Sequence, residues 1–486
     1  MYYLTSLLLL PITGAALVSL LPVSRPKLVR SIAILVSVAA LILAWSLYLN
    51  FDISTAAQQL SEHHRWNPRQ GMSFSLGIDG FSYPMILLAT LLWPIALVAS
   101  AGLANQTKGY YTLLLILETA VLGVFMAQDW ALFYVFWELT LIPLFFLIDR
   151  WGGAKRHTAA LNFVLYTMGG SVFILISLLV LFDSVPGHSF AMSSMAQAAH
   201  ALPVDTQTLI FIGLLIGFGV KMPIFPIHGW LPLAHVEAPS PVSILLSGIL
   251  LKMGSYGLIR ATATLPAAAT VMQTTLFSLA LISLLYGGLL AWRQSDLKSM
   301  IAYSSISHMG IVLMGIATLN IAGLTGAVTQ MVAHGLVAGA LFLLIGLLYE
   351  RTHTRDVRDY SSLVRVTPRF AFFTTLALVA AVGIPGTAGF ISELHVLIGG
   401  FARWSWFATL LTVGILISAA YAFRTVGRLF TGPVRPSMQG IADLRLNESI
   451  AAAALTAGII FLGVFPSHML NIMSASVAQL AHVFKG

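Results

Sequence analysis

Seven ionisable side chains lie where water should be absent. Glu118, Glu138, Lys221, Lys252, His308, His334 and Glu393 each fall inside a long apolar run. A charge at the centre of a bilayer costs about 2.5–3.5 kcal/mol even on insertion scales. Several in one bundle must therefore face one another or water. Carboxylates, ammonium groups and imidazoles are also the groups that hand protons on. The chemistry indicated is passage of a proton or ion through hydrocarbon. Each residue has a plainer alternative. Glu118 is near the start of its run, where a headgroup-level position would serve. Lys252, in SGILLKMGSYG, could snorkel. His308 and His334 could be satisfied core histidines or axial haem ligands; neutral imidazole is cheap to bury, and proton relay is the preferred reading. Glu138, in FYVFWELTLIP, has only Thr140 as a polar neighbour, and Lys221, in LLIGFGVKMPIFP, is too deep to snorkel.

The composition says what must position these groups. Of 486 residues only 9% are charged and 58% are hydrophobic, with mean hydropathy +0.90. That excludes a soluble enzyme and a disordered chain. Absence of cysteine excludes disulfides, cysteine-ligated iron–sulfur clusters and thiol catalysis. No nucleotide-binding glycine loop, HExxH motif or other metal-ligand set is present. Apolar runs begin near Leu4, Leu28, Phe81, Tyr110, Trp130, Ala160, Thr208, Pro241, Val271, Met300, Ile321, Phe370, Trp404 and Ser449. At about 20 residues per crossing, the expectation is an all-α polytopic membrane protein of about fourteen transmembrane helices. The first run is read as a retained helix and not a removed signal. Residues 1–486 form a single membrane domain, with no extramembrane stretch long enough to fold separately.

Basic residues test that count. Eighteen of the 25 fall in odd-numbered connections; the other side and the C-terminus hold only Arg65, Arg69, Arg260, Arg403 and Lys485. The positive-inside rule puts the odd connections in the cytoplasm and both termini on the non-cytoplasmic side.

Two spans carry helix breakers beside their charges. The seventh has Pro223 and Pro226 just after Lys221; the twelfth has Gly383, Pro385, Gly386 and Gly389 just before Glu393. Freed carbonyls at membrane depth are tolerated where they are buried in protein or line a cavity. Broken helices at matched places point to two inverted five-helix repeats, approximately 110–262 and 271–428.

Together these segments are specific. KMPIFPIHGWLPLAHVEAPSPVSILLSGILLKMGSYGLIR, SLGIDGFSYP, FYVFWELTLIPLFFLI, SDLKSMIAYSSISHMGIVLMG, MVAHGLVAGALFLLIGLLYERTHTRD and GIPGTAGFISELHVLIGGF resemble the antiporter-like subunits of complex I. The resemblance is to the branch called subunit M in bacteria, 4 in mitochondria and D in the photosynthetic enzyme. It implies fourteen helices with a central axis of lysine, histidine and glutamate. In that scheme Glu138 pairs with Lys221, Lys252 is the central relay, and His308 and His334 continue it. Glu393 stands where sister subunits have lysine, and the short C-terminus lacks the long lateral helix of the distal sister. The implied role is a non-redox, proton-translocating subunit of an NAD(P)H or ferredoxin:quinone oxidoreductase. It binds no cofactor and no metal itself; iron–sulfur clusters and quinone belong to partner subunits. Lipids and other subunits are its partners, and nucleic acid is not. The THTRD and IDRWGGAKRH stretches incline the reading to the cyanobacterial, thylakoid, plastoquinone-linked branch, which includes carbon dioxide-uptake versions; a bacterial inner membrane is the other setting. Mrp-type Na+/H+ antiporter and membrane-hydrogenase subunits are the alternatives. Leu233, Asp149 and Arg150 depart from the family pattern.

The expected mechanism follows from burial. Burial disfavours a charged ammonium and a nearby carboxylate favours it. Moving Glu138 would then change whether Lys221 holds its proton, which passes by Lys252 and the histidines to Glu393.

Overall fold

The computed structural model describes residues 2–102 and 107–484. Lys485, counted above among the basic residues, lies outside them. Two helices open the chain, α1 (Tyr3–Leu20) and α2 (Pro26–Ser46). A β-hairpin follows, β1 (Gln59–Asn67) antiparallel to β2 (Met72–Ile78). The sequence predicts only a loop there, because QLSEHHRWN has no apolar alternation to mark a strand. The hairpin defines one face of the molecule; the arginine-rich connections define the other, here the basic face.

Next come α3 (Tyr83–Ala99), α4 (Thr107–Met126), α5 (Trp130–Leu139), α6 (Leu141–Trp151) and α7 (Arg156–Asp183). Asp129 starts α5 as its N-cap, accepting from Ala131 N and Leu132 N. Its other oxygen accepts from Ser73 N at 3.0 Å and so ties β2 to the bundle. A short α8 (Met192–Ala199) lies on the hairpin face.

The seventh crossing is broken. α9 (Val204–Lys221) stops, residues 222–229 run as turns, and α10 (Trp230–Glu237) resumes. Trp230 Nε1 donates to the Val220 carbonyl at 2.8 Å and Phe225 N donates to Ser283 Oγ at 2.9 Å. Backbone groups freed by the break are thus paired inside protein. The eighth crossing is α11 (Ser240–Leu245), a π-helical turn over Leu246–Leu250, and α12 (Leu251–Thr264). Beyond lie α13 (Pro266–Val271), α14 (Gln273–Arg293), α15 (Leu297–Ala317) and α16 (Ile321–Thr352). With 32 residues, α16 is about 48 Å long. It outruns the hydrocarbon and runs buried through the bundle.

The chain ends with α17 (Leu363–Val366), α18 (Pro368–Ala381), α19 (Ala388–Trp404), α20 (Leu410–Phe430), α21 (Leu446–Val464) and α22 (Ser467–Val483). Among the described residues thirteen apolar helical stretches are long enough to cross a membrane, against about fourteen expected. The difference lies in the twelfth crossing. Its first half, α18, has 14 residues and cannot cross alone. Its second half, α19, runs into α20 in a 43-residue stretch that is interrupted at 405–409. Counting α18 with α19 restores fourteen. α22 is additional to the expected helices; Ser476 Oγ accepts from Gly80 N at 3.0 Å, seating it on the hairpin face.

Arg260 also needs correction. It was assigned to a connection, but it lies in α12 and its guanidinium pairs with Asp79 at 2.7 Å. Lys298, one of the eighteen basic residues counted in odd-numbered connections, is likewise buried, in α15, and donates to the Ala238 carbonyl at 2.9 Å.

Candidate functional site

Lys221 is the last residue of α9, where the free carbonyl end of the helix favours a cation. The residue is 1% exposed. Nζ donates to Thr140 Oγ1 at 3.0 Å and lies 5.1 Å from the Trp137 ring and 5.9 Å from that of Phe163. Trp137 is fixed in turn, donating to Ser171 Oγ at 2.8 Å. The expected direct pair with Glu138 is not formed. Among the described residues no ion pair joins them, and Glu138 Oε1 is buried without a hydrogen-bond partner. Glu138 precedes Thr140 by two residues, so the hydroxyl takes the place nearest the ammonium. The carboxylate remains within electrostatic reach.

Lys252 follows the π-helical turn. Its Nζ donates to the Ser247 carbonyl at 2.5 Å and meets His334 Nδ1 at 2.7 Å. Beside it, Ser247 and Ser305 hydroxyls are 3.0 Å apart. Gly254, two residues on, lets α12 approach the broken end of α9. A Cβ there would lie 2.5 Å from the Phe218 carbonyl and 2.7 Å from Met222 N. The two lysines are thus on closely packed helices, although among the described residues no hydrogen bond joins them.

The His308 and His334 rings have centroids 5.3 Å apart. His308 Nε2 is 3.1 Å from the Ala381 carbonyl. A carbonyl only accepts, so Nε2 carries the proton and Nδ1 is left as an acceptor. His334 Nδ1 faces an ammonium, so a charged Lys252 leaves the His334 proton on Nε2. Among the described residues His308 Nδ1 and His334 Nε2 are both buried without partners. One free acceptor and one free donor therefore stand on neighbouring rings.

Ala381 closes α18, so His308 occupies a carbonyl freed by the second break. On the far side of that break is Glu393, 6% exposed. Gly383, at φ +74°, holds the turn, and a Cβ there would lie 2.1 Å from Glu393 Oε2. Both histidines, Gln330, Ala381, Gly389 and Glu393 border one void. The space open to a water's centre is about 10 Å³, room for about one molecule.

The site therefore gathers Lys252, His334, His308 and Glu393, and keeps Glu138 and Lys221 as a second cluster. Sequence reasoning missed Thr140, Gln330 and His235. Gln330 accepts from Ser392 Oγ and borders the void. His235 is fully buried in α10, with neither ring nitrogen partnered, stacked at 4.6 Å on Phe342. It lies within electrostatic reach of Lys298 and Lys252, between the basic face and the axis. The one available signal was its place in AHVEAP, next to the break. Of the family departures, Asp149 meets the exposed His157 at 2.5 Å and Arg150 lies over Phe146 at 5.3 Å. Nothing in the structure explains Leu233.

Residues 127–418 match the family described as NADH:quinone oxidoreductase/Mrp antiporter, TM. Residues 8–127 match NADH-ubiquinone oxidoreductase chain 4, amino terminus. An NAD(P)H-quinone oxidoreductase chain 4 of Picosynechococcus sp. is 40% identical over 96% of this chain and 89% of its own length. NADH-quinone oxidoreductase subunit M of Rhodobacter capsulatus is 37% identical over 97% and 94%. Respiratory complex I from Thermus thermophilus with bound NADH contains a similar chain. TM-score is 0.90 at 30% identity, covering 99% of this chain and all of that one.

Proposed function

This chain belongs to the NADH:quinone oxidoreductase/Mrp antiporter family, as a complex I-type chain 4 or subunit M, and on that basis we propose that it carries protons across the membrane for a quinone-reducing assembly. The observation that carries the reading is Lys252 Nζ at 2.7 Å from His334 Nδ1, with His308, a water-sized void and Glu393 beyond. A proton leaving Lys252 has an imidazole nitrogen ready to accept it. His334 then holds protons on both nitrogens. The Nε2 proton passes through one water to His308 Nδ1, or across the void to the Glu393 carboxylate. His334 regains its neutral form, and Lys252 is reloaded from the side of Lys221.

In this reading Glu138 acts on Lys221 through space, with Thr140 as the direct acceptor. Removing the Thr140 contact or drawing Glu138 closer changes how firmly Lys221 keeps its proton. His235 is the entry from the basic face. Redox chemistry, and the NAD(P)H or ferredoxin that feeds it, belong to partner subunits. The basic face is cytoplasmic by the positive-inside rule, which leaves both termini opposite.

The test is proton translocation by the intact complex in sealed vesicles. Lys252→Met and Glu393→Gln should each leave assembly intact and lower proton transfer at least about tenfold, since a positioned proton-transfer group contributes about 10²–10⁴. Unchanged pumping in either variant would sink the scheme. A requirement for sodium would instead support the Mrp-type reading. The cyanobacterial and Rhodobacter relatives are similar to nearly the same degree, so identity does not choose the branch. A carbonic-anhydrase-like subunit copurifying with the chain would assign the carbon dioxide-uptake form, and hydrogenase subunits the membrane-hydrogenase form.

A further inference from the structure

We propose that Glu118 is a proton-binding site separate from the relay, held as a neutral carboxylic acid and reached from the basic face along the seam between α2 and α4. The sequence leaves open a headgroup-level position as well as a place in a proton pathway. In the structure it lies eleven residues into α4, about 16 Å from the helix start, near the middle of a core about 30 Å thick. It is 0% exposed.

Its surroundings fit an acid better than an anion. Ser37 Oγ donates to Oε1 at 2.9 Å, and among the described residues Oε2 is buried without a partner. Among the described residues no ion pair includes Glu118. Among the described residues no charge on the helices around it pairs with it. On α1 the titratable group is Tyr3, at the far end, and on α3 it is Tyr83. α2 supplies Arg30. α4 itself has Lys108, Tyr110 and Tyr111. α5 has Tyr134 and Glu138, α6 has Asp149 and Arg150, and α12 has Lys252, Tyr256 and Arg260. None of these is hydrogen-bonded to Glu118. A carboxylate buried so would be uncompensated, whereas the neutral acid leaves only one hydroxyl without a partner.

Polar groups stand outward of it on one side. Arg30 precedes Ser37 by seven residues on α2, and Tyr111 precedes Glu118 by seven on α4. Two helical turns put each pair on one face. At the outer end the Arg30 guanidinium donates to the Val98 carbonyl at 3.1 Å, with Nε unpartnered. Tyr111 OH donates to the Ser100 carbonyl at 3.4 Å. Toward the hairpin face the Thr119 hydroxyl is spent on the Leu115 carbonyl of its own helix at 3.2 Å, and the next contact from another helix is at the Phe125 carbonyl, accepting from Tyr256 OH at 3.3 Å. The proton on Glu118 therefore exchanges with water at the basic face and returns there: the carboxylic acid loses H+ to water and regains it, with no net transfer across the membrane.

This proposal stands apart from the relay, and infrared spectroscopy of the intact complex tests it. Wild type should show a protonated carboxyl C=O band that shifts in D2O and is missing in Glu118→Gln. Ser37→Ala keeps the carboxyl and should move that band; it carries the test if Glu118→Gln fails to assemble. Arg30→Leu with Tyr111→Phe should slow deuterium exchange of the band at least about tenfold, as expected when positioned proton-handling groups are removed. Proton pumping should persist in Glu118→Gln. The proposal is overturned if no carboxylic band is lost in Glu118→Gln, if the band is unmoved in Ser37→Ala, if it does not shift in D2O, or if Glu118→Gln stops pumping as Lys252→Met does.

Discussion

Thr140 is the residue on which the Lys221 ammonium most directly depends. Thr140→Val keeps the shape and removes the acceptor. The expected cost is about 1–3 kcal/mol for an unmet buried donor, read as a lower melting temperature of the complex, with slower pumping. Thr140→Ser should restore both. The same logic explains what the sequence could reveal at this scale. Glu138, Lys221, Lys252 and Glu393 were legible because a charge in an apolar run has few innocent explanations. Thr140, Gln330 and the Ser247 carbonyl were not, because uncharged polar groups in helices usually bond their own backbone. The Glu138–Lys221 distance was not legible either, since a two-residue offset on α5 decides which group reaches the ammonium.

Breaks matter more than helices at the next scale. Gly383 serves two needs: a left-handed backbone and room for the Glu393 carboxylate. Gly383→Ala should cost about 1–3 kcal/mol in backbone strain and push Glu393 away from the void. Pumping should fall in a complex that still assembles; wild-type pumping would mean that Glu393 is not placed by this turn. Asp129→Ala tests the start of the fifth crossing. It removes the α5 cap, at about 0.5–2 kcal/mol, and releases Ser73, so proteolysis within the hairpin should accelerate. Proline and glycine positions made both broken crossings readable in advance. The hairpin and α22 were not, because neither has a periodic apolar signal distinct from a loop or a short amphipathic tail.

Across the whole molecule, one buried pair fastens the hairpin face to the eighth crossing. Burial alone would push the Asp79 carboxyl up, but the Arg260 guanidinium and the Ser82 and Phe81 amides hold it below the ordinary carboxylate range. A depressed folded value means stability that is present above the ordinary value, near 3.8, and lost as pH falls through the lower folded one. Asp79→Asn should remove that acid dependence and, by stranding Arg260, cost about 3–5 kcal/mol. Thermal unfolding of the complex at neutral and acid pH would check both. Arg260 was misread as a connection residue because a charge near a helix end looks the same whether it faces water or a carboxylate. Another feature of this face bears on how the protein is made. The first free amides of α1, at Leu4 and Thr5, are met by the Glu62 carboxylate at 2.7 and 2.9 Å, from a residue 58 positions later. A ribosome delivers α1 and α2 before Glu62 exists outside its tunnel, so the first helix must wait unsealed in the bilayer until β1 has been translocated.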